Sequence, residues 1–215
     1  MKKKIGGRLF CGVGLLLAFV LWTVLVKTVD VKEIGQGGSC VGFATLNEWF
    51  HRITGVRMGL YELTDFFSIV PLGLVGGFAV LGMLQWIRRG RLGAVDRTLF
   101  LLGGFYIAVL FLFLFFEVVV INYRPILIDG ELEASYPSST TLLSLCVLST
   151  AILQFKERIK VRGLRITVCV VLGLLMLFLV IGRTVCGVHW LTDIIGGGIL
   201  GAGLVLIYDG VCRMI

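Results

Sequence analysis

Long apolar runs separated by short polar stretches organise this chain. Six of them hold about 20 residues each, enough for a helix to cross a bilayer. They extend from about Arg8 to Val29, Asp65 to Trp86, Thr98 to Ile121, Ser138 to Phe155, Leu164 to Gly182 and His189 to Tyr208. The fourth is the shortest and opens with a row of hydroxyls. The pattern predicts an all-α fold, a polytopic membrane bundle of six transmembrane helices. Between Asp30 and Thr64, the longest non-spanning stretch, Phe43, Leu46, Trp49, Phe50 and Ile53 recur at helical spacing, with Asn47, Glu48, His51 and Arg52 between them. That spacing predicts a helix lying in the membrane interface, or a lid over the bundle. Gly73 with Gly77, and Gly197 with Gly201, have the small-xxx-small spacing of close helix contacts.

Composition agrees with a membrane protein. Of 215 residues, 58% are hydrophobic and 15% charged, and mean hydropathy is +1.00. So little polar surface excludes a soluble domain and a disordered chain. The net charge of +7 suggests a nucleic-acid partner only until its distribution is read. Lys2, Lys3, Lys4 and Arg8, then Arg88, Arg89, Arg91 and Arg97, then Lys156, Arg158, Lys160, Arg162 and Arg165, and finally Arg213 all fall on one side. That side holds fourteen of the twenty basic residues, which predicts cytoplasmic termini and no nucleic-acid partner. The first span lacks a small-residue cleavage site and reads as uncleaved. The compact chain without targeting signals points to a bacterial cytoplasmic membrane, and residues 1–215 read as one membrane-embedded domain. Cys11, Cys146, Cys169 and Cys212 lie in or beside spans, where a thiol behaves as a small apolar group. Cys40 and Cys186 fall on the outer side, where pairing is open to them. No metal-ligand spacing is present.

Three outer-side segments carry unusual polarity. They are Glu117 to Pro125, Tyr136 to Thr141, and Gly182 to Asp193. The topology brings them to one level, so they can share a pocket. Arg124 and Arg183 supply planar charged forks suited to phosphate. Pro137, Ser138 and Ser139 stand where a helix begins, and free N–H groups at such a start attract anions. His189 and Asp193 are four residues apart and share a helix face. A carboxylate near an imidazole raises its basicity and orients it, and such a histidine can attack a phosphoryl group held opposite it.

At these residues the chain resembles the type 2 phosphatidic acid phosphatase (PAP2) family, which is related to the vanadium haloperoxidases. The family pattern is K-x6-R-P, then P-S-G-H, then S-R-x5-H-x3-D. Arg124-Pro125 fits the first block, Pro137-Ser138 the second, and Arg183, His189 and Asp193 the third. The resemblance covers about residues 117–215. It implies that His189 attacks phosphorus and becomes phosphohistidine, that Asp193 orients it, and that Arg124, Arg183, Ser138 and the Ser139 N–H bind phosphate. It implies no metal or other cofactor. Three positions depart from the pattern. Gly182 replaces a serine, a mild change. Glu117 replaces the lysine and, two turns before Arg124, is placed to pair with that arginine on one helix face. Thr140 replaces the histidine that protonates the leaving group.

The resulting expectation is a membrane phosphohydrolase acting at the outer face on a lipid phosphate or diphosphate such as polyprenyl diphosphate. Its partners would be that substrate and the surrounding membrane lipids. The alternative is a catalytically impaired PAP2-like protein that binds lipid phosphate or scaffolds membrane partners. A transporter on the same bundle is a third reading, without an inverted repeat to support it. Asp129, Glu131 and Glu133 read as a solvated acidic loop.

Overall fold

The structure, a computed structural model, describes residues 2–214, with side chains from Ile5 onward. The Lys2, Lys3 and Lys4 side chains of the basic N-terminus lie outside the described residues. The elements are α1 (Lys2–Thr28), a two-residue hairpin of β1 (Lys32–Glu33) and β2 (Cys40–Val41), α2 (Ala44–Thr54), α3 (Met58–Phe67), α4 (Ile69–Arg89) and α5 (Arg97–Val118). An irregular excursion follows, then α6 (Ser139–Leu143), α7 (Ser149–Arg158), α8 (Arg162–Val185) and α9 (Leu191–Cys212).

Six helical stretches are long and apolar enough to cross a membrane, as the sequence pattern predicts. The second starts at Met58 rather than Asp65, because α3 runs into α4 with a break at Ser68. Pro71 explains the break, since it has no N–H for the Phe67 carbonyl. The fourth joins α6 to α7 through a π-helical turn, Ser144–Leu148. Phe10, Leu17, Ile107, Phe111 and Leu174 point outward and exposed, as lipid-facing side chains do.

Polar anchors lie at both ends of the bundle. At one end Arg8 pairs with Asp209, while Asp96 is bound by Gln85, Arg89 and Arg158. These are the basic segments of the sequence reading. At the other end α9 begins, and four other segments tie it down. Trp22 Nε1 of α1 donates to the Thr192 carbonyl at 3.1 Å. Asn47 of α2 exchanges two hydrogen bonds with Thr192, at 3.0 and 3.2 Å. Trp190 Nε1 donates to the Tyr123 carbonyl at 2.9 Å, and the Ser138 N–H donates to the Asp193 carbonyl at 3.0 Å.

Glycines set the closest approaches. A Cβ on Gly12 would sit 2.7 Å from Ile207 and 3.0 Å from the Gly203 carbonyl, so α1 and α9 meet at backbone distance. Gly197 and Gly201 face Ser138 and Leu145, as their spacing predicts. Gly73 and Gly77 meet nothing within 4 Å; they lie on an open face, and the packing expected of them is not made. Cys40 is exposed and Cys186 buried, and both are free thiols.

The stretch Ala44–Thr54 forms the expected helix, α2. Leu46, Trp49 and Ile53 are exposed. Asn47 is fully buried, and His51 reaches the Gly187 carbonyl. Glu48 and Arg52 also stay outward, as an ion pair, so Asn47 and His51 are the polar side chains this helix commits to the bundle.

Candidate active site

The excursion between α5 and α6 is a β-like hairpin. At its tip Ile128 and Glu131 exchange both backbone hydrogen bonds around Asp129 and Gly130. Both turn residues have positive φ, 51° and 83°, the type I′ geometry that Asp-Gly favours. Further in, Arg124 lies opposite Glu133 and Asn122 opposite Ser135, joined by backbone hydrogen bonds of 3.1 and 2.9 Å. The ladder shifts by two residues between tip and base. Pro125, which cannot donate to a ladder, lies in the longer strand. That shift brings Asn122 and Ser135 together at the hairpin base.

Both residues donate to Asp193. Asn122 Nδ2 lies 2.9 Å from Asp193 Oδ1, and Ser135 Oγ lies 2.6 Å from Oδ2. The Trp190 N–H donates to Oδ2 at 3.1 Å, so Asp193 also caps the helix it begins. Asp193 is fully buried, and these donors suit its ionised, acceptor-only form.

His189 occupies the loop between α8 and α9. Gly187 shapes that loop with φ of 75° and comes against Gly55 so closely that a Cβ has no room. The Arg57 N–H and His51 Nε2 hold the loop through the carbonyls of Cys186 and Gly187. His189 does not bond to Asp193 directly, as its spacing had suggested. Its Nδ1 lies 2.9 Å from Ser135 Oγ, so the order is imidazole, hydroxyl, carboxylate. Burial above all, then the charges of Arg124 and Arg183, push the imidazole pKa well below its ordinary value. The ring is neutral at pH 7. Its Nε2 is buried and has no partner among the described residues.

The two arginines flank this ring. Arg183, in the last turn of α8, is 1% exposed. Its Nη2 lies 2.6 Å from Asp65 Oδ1, and the guanidinium stacks 4.5 Å above the Tyr61 ring. Arg124 lies 5.8 Å from the same ring centre, and its Nε is 2.9 Å from Glu133 Oε2. That contact is an ion pair without hydrogen-bond alignment, because Arg124 Nε remains unsatisfied. Arg124 Nη1, Arg183 Nε and Ser138 Oγ are also buried without partners. Buried polar atoms are rarely left unpaired. Here unpaired donors accompany a neutral imidazole on which the two guanidinium charges act, a set of groups that a tetrahedral oxyanion would satisfy.

The remaining sequence candidates divide. Ser138 is buried, but its N–H is committed to Asp193 and only its hydroxyl is free. Ser139 lies on a groove of about 600 Å³ shared with Phe113, Glu117, Tyr123, Arg124 and Glu133. Glu117 does not pair with Arg124 as expected, because α5 ends at Val118 and the two never share a helix. Glu133, read as solvated, is the carboxylate that meets Arg124. Thr140 is half-buried and does not border the groove; its carbonyl accepts from the Ser144 N–H, while its hydroxyl has no hydrogen bond among the described residues. Ser135, Asn122, Tyr61 and Asp65 were not legible as site residues. They have no mutual spacing in sequence, and only the hairpin register and the α3–α8 contact assemble them.

Gly182 is where α8 touches α3, and a Cβ there would overlap Thr64 Cγ2. The departure from serine is therefore coupled to Thr64, which is fully buried, and is not mild. Gly182→Ser is expected to cost about 1–3 kcal/mol by overpacking. Thermal unfolding in detergent measures it, and Thr64→Ala in the same chain should restore most of the loss.

Fold and composition together define a polytopic helical membrane protein with six candidate spans. Residues 119–209, the segment that holds His189, Asp193 and both arginines, match the model of the PAP2 superfamily. The fold is similar to that of a transmembrane PAP2 type phosphatidylglycerolphosphate phosphatase from Bacillus subtilis, with a TM-score of 0.64 and 19% identity, over 96% of this chain and 98% of that one. No protein of curated function matches the chain.

Proposed function

We propose that this protein is a membrane lipid phosphohydrolase, working as one embedded domain through a phosphohistidine intermediate. One observation carries the reading. The unpartnered, neutral His189 Nε2 lies within the charge of two arginines that keep buried, unsatisfied nitrogens. Arg124, Arg183, Ser138 and the N-terminal end of α6 at Ser139 hold the phosphate. The Nε2 lone pair forms a bond to phosphorus as the P–O bond to the lipid breaks, and that electron pair leaves on the lipid oxygen. Water then attacks phosphorus and releases phosphate, returning His189. The match of the motif segment to the superfamily model supports this, as does the fold shared with a PAP2 type phosphatase. The alternative, a lipid-phosphate binder without turnover, draws on Thr140, which has no pKa suited to proton transfer. Phosphate release by purified protein over a panel of lipid phosphates and diphosphates separates the two.

The site works at the outer face, and both termini are cytoplasmic, in a bacterial cell membrane. Support comes from the basic residues, which collect at the end of the bundle opposite His189. A reporter fused after Arg89 or Lys160 should be cytoplasmic, and one at Asp129 external. An external Lys160 would overturn the orientation and the outer-face site together.

A further inference from the structure

Ser135 stands between the two residues that the PAP2 pattern would join directly. Its single proton has two candidate acceptors, Asp193 Oδ2 at 2.6 Å and His189 Nδ1 at 2.9 Å. An ionised carboxylate only accepts. Asp193 already takes N–H donors from Asn122 and Trp190, the environment of an ionised group. The Ser135 proton therefore points to Asp193, and the oxygen that remains can only accept. Only a protonated Nδ1 can then face it.

We infer that Ser135 is a positioning residue, fixing His189 as the Nδ1–H tautomer with its lone pair on Nε2, and passing the influence of the Asp193 charge to the ring through its hydroxyl. The inference rests on reading His189 as the nucleophile. When Nε2 bonds to phosphorus the ring becomes positive with its proton still on Nδ1. The Ser135–Asp193 pair stabilises that charge without taking the proton. Without the hydroxyl, Nδ1–H loses that acceptor and its link to Asp193, and the tautomer with a protonated, non-nucleophilic Nε2 becomes accessible.

The chain has only two histidines, and His51 supplies an internal reference. Its Nε2 lies 3.1 Å from the Gly187 carbonyl, which can only accept, so His51 carries its proton on Nε2. Selective 15N-histidine labelling of the full-length protein, without substrate at neutral pH, should show one ring of each tautomer. His189→Gln identifies which is which. Ser135→Ala should shift the His189 signals toward Nε2–H, and Ser135→Thr should retain Nδ1–H. In turnover, Ser135→Ala should lower kcat by about 10–100-fold, as loss of an orienting partner does, with KM little changed and Ser135→Thr rescuing. A wild-type His189 protonated on Nε2, or a spectrum unmoved by Ser135→Ala, overturns the inference. Absence of phosphate release by the wild type overturns the phosphohydrolase reading instead, while the spectra still decide the role of Ser135.

Discussion

His189→Ala is expected to abolish phosphate release, lowering the rate by on the order of 10⁴-fold or more, since a covalent route has no substitute for its nucleophile. Two features make this the largest effect. In the proposed mechanism the Nε2 lone pair is the reacting atom, and the other histidine, His51, is held on the Gly187 carbonyl. Asp193→Asn should also cost heavily, on the order of 10²–10⁴-fold, by a different route. An amide presents a donor where Ser135, Asn122 and the Trp190 N–H all donate. Ser135 would be turned to donate to His189 Nδ1, and the ring would carry its proton on the wrong nitrogen. The clash of donors should also reduce stability by about 1–3 kcal/mol, which unfolding experiments resolve from catalysis. The pH dependence has a definite sign. Burial and two arginines disfavour the imidazolium, so His189 stays neutral below pH 6.5, where the unfolded chain takes up its proton. The acidic limb of kcat/KM should therefore lie well below 6.5. Stability, in contrast, declines as pH falls below that value, because the unfolded state binds the extra proton. Full activity in His189→Ala would end the phosphohistidine mechanism.

A lipid diphosphate such as polyprenyl diphosphate is expected to turn over faster than phosphatidate, by up to the roughly 10²–10⁴-fold that a general acid contributes. A monoester expels an alkoxide, whose conjugate acid is very weak, and needs a proton as the bond to phosphorus breaks. Thr140 holds the place of the family's acid, and a threonine hydroxyl does not titrate near neutrality. A diphosphate expels a phosphate, whose second pKa is about 6, and that group departs without protonation. Thr140→His should raise monoester hydrolysis more than diphosphate hydrolysis. Glu117 and Glu133 line the same groove as Arg124 and oppose the extra charge of a diphosphate. Glu117→Lys in the same background should therefore increase diphosphate turnover. Faster hydrolysis of phosphatidate by the wild type would refute the preference. Binding of both lipids without hydrolysis of either would favour the non-catalytic reading.

Spans and their order were legible because they follow from one-dimensional physics. A residue's apolar character and a length of about 20 residues suffice to predict a spanning helix, and all six appear. His189, Asp193, Arg124, Arg183 and Ser138 stood out in the sequence as candidates because chemistry on phosphate would restrict both residue type and spacing. What failed was inference along a helix across a boundary. The pairing of Glu117 with Arg124 assumed that α5 continues, whereas Val118 ends it. Gly73 and Gly77 have the spacing of a helix contact but face an open surface, since spacing cannot say which face meets a neighbour.

The sequence by itself determined a six-span membrane bundle, the asymmetry of its charges, and the order along the chain of one imidazole and two guanidinium groups. Only the tertiary structure decided how the imidazole is held. Ser135 lies 54 residues before His189, and it reaches both His189 and Asp193 only because the hairpin slips by two residues around Pro125. Asp65, 118 residues before Arg183, meets that arginine only because Gly182 lets α3 approach α8. Helix formation and membrane insertion depend on local composition. Hydrogen bonds between distant segments depend on register and on the space left by neighbouring side chains, which no local pattern encodes.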